Sequence, residues 1–166
     1  MSEEYTPRSH RALLFSRTEA ARFGSDDIKP YHLLLGLFGA DPRLSARLFD
    51  DPEAPERIRE KLESRFLLPH DAPLSGDLPL AYETRRALAY AVDECQDLGH
   101  TRIATGHLLL GLLRELGLLW LLEAEGGAAA ELLLEHGAKP FRLREEVAMV
   151  PETPGDNTDD RSESDR

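Results

Sequence analysis

The chain has 166 residues, enough for one substantial core. Its 31 acidic side chains against 20 basic ones leave a formal charge of −11, a field that repels phosphate backbones and anionic lipid and so argues against nucleic-acid and membrane partners. Cys95, the single cysteine, cannot close an internal disulfide, MSEEYTPRSH lacks an apolar signal core, and the greasiest stretch (108–122) is broken by Gly111, Arg114, Glu115 and Gly117, so a soluble cytoplasmic protein is expected.

Thr6 and Pro7 supply a cap and a first-turn proline for an opening helix, with Leu13, Ala20 and Phe23 as its inner face and Gly24 as its stop. Pro30 starts a second helix through HLLLGLF, apolar nearly all round and therefore central. Asp41-Pro42 caps a short third helix carrying Leu44, Leu48 and Phe49. Pro55 opens a fourth, with Ile58, Leu62 and Phe66 four apart. Pro69, Pro73, Gly76 and Pro79 mark residues 68–79 as a connector. A fifth helix from Tyr82 to Leu98 offers Leu88, Ala91, Val92, Cys95 and Leu98 to a core and ends at Gly99. A sixth begins near Thr105, the expected cap, and Pro140 opens the last. PETPGDNTDDRSESDR, with six acids and nothing apolar to bury, reads as a disordered tail (149–166).

The chain also says nearly the same thing twice. Residues 11–38 and 86–113 match without a gap at Arg11/Arg86, Ala12/Ala87, Leu13/Leu88, Glu19/Glu94, Gly24/Gly99 and Ile28/Ile103. They match again through HLLLGL at His32 and His107. The closing RLREEV at Arg142 answers RIREKL at Arg57 ten residues further on, so the second copy holds about ten extra residues, in the segment around Trp120. A duplicated helical unit whose apolar face needs its neighbour favours a binding module over an enzyme. Period-two alternation is absent, so an all-α fold of two four-helix repeats is expected.

With both copies aligned, TPR…RAL…EA…G…I…HLLLGL and YETRRALAYAVDE…LGHTRIATGHLLLGLL resemble the double repeat of the Clp N-terminal domain, which precedes the ATPase rings of Clp-type AAA+ unfoldases. The resemblance implies two four-helix repeats in pseudo-twofold relation (5–67 and 80–148, joined by the 68–79 connector) and a role in receiving proteins or peptides. Those partners would be Clp substrates, adaptors or the Clp ATPase subunits themselves, with the chain a monomer or weak homodimer. A regulatory or scaffolding docking protein unrelated to proteolysis is the other reading. No G-x-x-x-x-G-K-[ST] phosphate loop occurs, so neither cofactor nor nucleotide chemistry is expected, and the chain reads as a stand-alone protein or a domain of a longer one.

Relatives hold ligands around the starts of the first and fifth helices, which here implicates Tyr5, Thr6 and His10, with Leu80 and Arg85. An apolar group beside a basic one suits an extended, partly acidic or apolar peptide. The alternative is that Tyr5 and Leu80 only staple their own helices. Relatives that recognise phosphoarginine carry glutamate before the repeated histidine. Here Tyr31 and Gly106 stand there, and neither can pair a guanidinium, so Tyr31 is placed at the edge of the site. His32 and His107 fall in different copies, far from the clustered spacing a metal wants, and are read as hydrogen-bonded structural groups rather than ligands, even with His100 or Cys95 nearby. Cys95 is read as a core thiol. Trp120 extends the second core or, alternatively, presents a docking or dimerisation surface.

Overall fold

Helix α1, Pro7–Arg22, begins as its first residues dictate: Thr6 accepts a hydrogen bond from the Ser9 amide, and Pro7 sits in the first turn. It and seven further helices make up the described part of a computed structural model covering residues 4–69, 77–118 and 127–149. They are α2 Pro30–Ala40, α3 Pro42–Leu48, α4 Ala54–Phe66, α5 Tyr82–Asp97, α6 Thr105–Glu115, α7 Gly127–Glu135 and α8 Pro140–Met149. The chain is all-α, as expected, and β-type pairing among the described residues is limited to two isolated single-residue bridges. Trp120 and residues 150–166 lie outside the described residues, and Met149, expected as the first residue of the tail, instead ends α8.

The two HLLLGL helices are the core. Residues 31–38 of α2 and 105–113 of α6 are buried on every side. Around them α1 packs on α2 and α5 on α6 as the tightest pairs, and Gly36 and Gly111 explain why. A Cβ on Gly36 would lie 2.6 Å from the Ala12 carbonyl oxygen and 2.7 Å from the Ser16 nitrogen, and one on Gly111 would lie 2.5 Å from the Ala91 nitrogen. The facing helices answer with small residues: Ser9, Ala12, Ser16 and Ala20 on α1, and Thr84, Ala87 and Ala91 on α5.

This close approach corrects the expected inner faces. Leu13, Leu88, Val92 and Leu98 are only partly buried, because backbone contact leaves no room for leucine between the helices. Phe66 is likewise half-buried, stacked on Tyr31 with centroids 4.7 Å apart. Helices α1 and α5 end where expected, at Gly24 and Gly99, whose φ values of 74° and 72° suit glycine.

The repeats do not sit side by side; they clasp each other. The Thr6 amide donates to the Ile103 carbonyl and the Ile103 amide to the Glu4 carbonyl, while the Ala81 amide donates to the Ile28 carbonyl and the Ile28 amide to the Pro79 carbonyl. The strap before each first helix thus pairs with the loop after the other copy's first helix. Each crossing is locked by a hydroxyl at an equivalent position: Ser9 Oγ donates to Ile103 O at 2.8 Å and Thr84 Oγ1 to Ile28 O at 2.7 Å. Further out, α3 meets α8 and α4 meets α7, with Lys61–Glu135 at 2.6 Å and Arg142–Asp50 at 2.6 Å.

A buried carboxylate joins the copies as well. Asp41 caps α3 through the Arg43 amide, pairs the Arg43 guanidinium and accepts from Thr105 Oγ1 at 2.7 Å. Arg43 and Thr105 hydrogen bonds hold its carboxyl below the usual range, outweighing the opposing effect of burial. Thr105 is therefore not the cap of α6. Ala104 occupies that position, and the threonine hydroxyl is engaged across the repeat boundary.

Candidate functional site

The repeated histidines build the starts of the central helices. Each sits at the third helical position and turns its Nδ1 back to accept the cap-residue amide, His32 from Lys29 at 2.9 Å and His107 from Ala104 at 2.8 Å. With Nδ1 an acceptor, each neutral ring carries its proton on Nε2. In the second copy that N–H faces His100 Nδ1 at 2.7 Å. In the first, the residue equivalent to His100 is Ser25, whose hydroxyl donates to the Asp27 carbonyl, and His32 Nε2 is left buried without a hydrogen-bond partner. Burial first, then Lys29, lowers the His32 pKa to about 4. The Cys95 thiol, also buried, lies 3.3 Å from the Arg102 carbonyl oxygen and 3.4 Å from that of His100. Among the described residues no group of three side chains could hold a metal ion, and no helix is long and apolar enough to cross a membrane.

The expected partner residues separate into three places. His10 and Leu80 come together: both line a cavity of about 360 Å³ between α1 and α5. The crossing makes this possible, since Leu80 pairs with Ile28 and so carries its side chain onto the first copy's surface. Tyr5 is half-buried beside His10, ring centroids 5.7 Å apart, and stands next to the cavity rather than in its wall. Desolvation, then Glu4, pushes its phenol pKa up. Thr6 is 3% exposed and its oxygen is engaged in capping, so it shapes the site without presenting a surface.

Arg85 lines neither this cavity nor the next; it is exposed, its guanidinium 6.0 Å from the centre of the Tyr82 ring. Tyr31 lines a second cavity of about 450 Å³, walled by the Tyr31–Phe66 stack with Asp27, Lys29, Glu83 and the start of α7. The equivalent place in the second copy is filled: a Cβ on Gly106 would meet Val147 at 2.9 Å.

The reading of helix starts missed most of the first cavity's wall. His10, Leu13, Leu14 and Arg17 follow one another at i, i+3, i+4 and i+7 on α1, and Thr84 and Leu88 stand four apart on α5. That stripe is visible in the sequence as a second apolar face on a helix whose first face is small. Leu14 is 56% exposed although it is a leucine, which marks the stripe as open surface.

Comparison with known proteins agrees with this architecture. The chain is 27% identical over 154 residues to the chloroplastic chaperone protein ClpC2 of Oryza sativa subsp. japonica, and 28% identical over 151 residues to the negative regulator of genetic competence ClpC/MecB of Bacillus subtilis. These alignments take in 92% and 90% of this chain but only 16% and 17% of the relatives. Among solved structures, the N-terminal domain of the ClpD chaperone from Arabidopsis thaliana matches with a TM-score of 0.60 at 25% identity, over 86% of this chain and 91% of that one. The Hsp104 N-terminal domain from Candida albicans matches with a TM-score of 0.67 at 16% identity, over 88% and 90%. The family model for the Clp repeat (R) N-terminal domain matches residues 4–117, and the chain belongs to that family.

Proposed function

We propose that this chain is a non-catalytic protein-binding module of the Clp chaperone and protease system, a double repeat over residues 5–148. It receives substrates, adaptors or Clp ATPase subunits in the cytoplasm. The observation that carries the reading is the open, leucine-lined cavity between α1 and α5, with exposed Leu14 and half-buried Leu80 in its wall and His10 and Arg17 at its polar edge. An apolar groove with a few polar groups is what an extended polypeptide needs for anchoring.

Family membership supports the Clp assignment, and the similarity to the ClpC proteins points to the same machinery. Tyr5, His10 and Leu80 form the binding region, with Thr6 holding its geometry; Arg85 and Tyr31 stand outside this groove.

The test is capture of a permanently unfolded, cysteine-blocked globular protein by the 166-residue chain. Changing Tyr5→Ala and Leu80→Ala together should weaken binding by about 2 kcal/mol or more if both are anchors. Phe141→Ala, a truncation of a 57%-exposed side chain on α8, should leave it unchanged. Equal loss in both variants would remove the assignment of the groove. A collapsed melting temperature with unchanged affinity per folded molecule would show that Tyr5 and Leu80 serve only as staples.

A further inference from the structure

The groove between α1 and α5 has an uneven polarity. Its wall contains leucines and an isoleucine, and the two hydroxyls that reach it are engaged: Ser16 Oγ donates to the Ala12 carbonyl at 2.7 Å and Thr84 Oγ1 to Ile28 O. The interior therefore suits an apolar side chain. At the polar edge stand His10 and Arg17, and among the described residues no carboxylate lines the cavity, although the chain as a whole carries −11. The second cavity has the opposite character, with Asp27 and Glu83 in its wall. One carboxylate does reach Arg17 from outside: Asp77, in the connector just before Leu78 and Leu80, pairs with it at 3.3 Å, with side chains 50% and 92% exposed.

We propose that this groove selects segments in which a leucine-sized apolar side chain is accompanied by a carboxylate, with Arg17 reading the acid and Asp77 serving as the internal carboxylate that the ligand replaces. The inference rests on the groove being a peptide site. An ion pair this exposed is weak, so a ligand displaces Asp77 at little cost while burying its apolar side chain against Leu13, Leu14 and Leu88. The guanidinium can then hold the incoming carboxylate through two parallel hydrogen bonds. Apolar burial supplies affinity and the charge supplies the choice among apolar segments. Arg17 is thus a specificity-determining residue on the same helical stripe as the apolar wall.

Fluorescein-labelled nonapeptides test this against the 166-residue protein in low salt: a central leucine flanked by glutamates, the same leucine flanked by lysines, and the glutamate peptide with Leu→Ser. Methyl NMR of Leu14 and Leu88 reports where each binds. The glutamate–leucine peptide should bind about tenfold tighter than the lysine one, and Arg17→Glu should erase or reverse that preference. Asp77→Asn should tighten the glutamate–leucine peptide by about threefold, and Leu→Ser should abolish binding. Equal affinity for the two leucine peptides, with shifts at Leu14 and Leu88, overturns the charge selection and leaves the groove as a peptide site. Binding that survives Leu→Ser also overturns it, as attraction without recognition. No shift at Leu14 or Leu88 with any peptide overturns both readings.

Discussion

Lowering the pH from 7 to 5 should weaken the fold through one side chain, His32. In the folded chain its ring is fully buried, its Nδ1 is taken by the Lys29 amide, and its pKa is lowered to about 4 by burial and by Lys29. In the unfolded chain the ordinary value near 6.5 applies. A depressed folded-state pKa favours the neutral ring, so its stabilising contribution is fully present above about pH 6.5 and is lost as the pH falls towards 4. A separation of about 2.5 units corresponds to about 3 kcal/mol in all, of which about 2 kcal/mol is gone by pH 5. Urea denaturation of the wild type and of His32→Gln at both pH values isolates this contribution. Glutamine at the third helical position can still reach back to the cap amide but takes up no proton. The wild type should lose about 2 kcal/mol more than the variant between pH 7 and pH 5. Identical losses would refute the reasoning, and would mean that the ring is protonated in the folded state or opened to water.

Three further outcomes follow from the packing and from the sequence. Gly111→Ala should destabilise by about 2 kcal/mol or more despite alanine's better helix propensity, because the added Cβ meets α5 backbone and not a movable side-chain tip; urea midpoints measure it. Asp41→Ala should cost about 3 kcal/mol, since it removes the α3 cap and leaves Thr105 and the Arg43 guanidinium without their shared acceptor, and Thr105→Val should cost less, as thermal melts can show. With no phosphate loop in its sequence, the isolated chain should give no heat on titration with ATP and magnesium; a stoichiometric isotherm would contradict that.

The sequence carried the helix plan because punctuation and cap chemistry are local. Thr6-Pro7, Asp41-Pro42 and Pro140 open helices, and Gly24 and Gly99 close them, through interactions a few residues long. The repeated HLLLGL announced the buried pair for the same reason: a segment apolar on every side has no surface to show. What the copies do to each other was hidden. Nothing local says that the strap at Tyr5 pairs with Ile103 in the other copy, and this exchange decides that Leu80 joins His10 while Arg85 does not. Apolarity alone would put Leu13 of α1 and Leu88 of α5 inward. The glycines opposite them bring backbones so close that only serine, threonine and alanine fit, which turns Leu13, Leu14 and Leu88 towards the groove.

The central claim is that unfolded polypeptide is held between α1 and α5, and methyl NMR of the isotope-labelled chain with the same unfolded, cysteine-blocked protein tests it most directly. The account predicts saturable shifts at Leu13, Leu14, Leu80 and Leu88, with Leu134 of α7, 57% exposed and outside this groove, unmoved. Shifts centred on Leu134, with the groove silent, would contradict it.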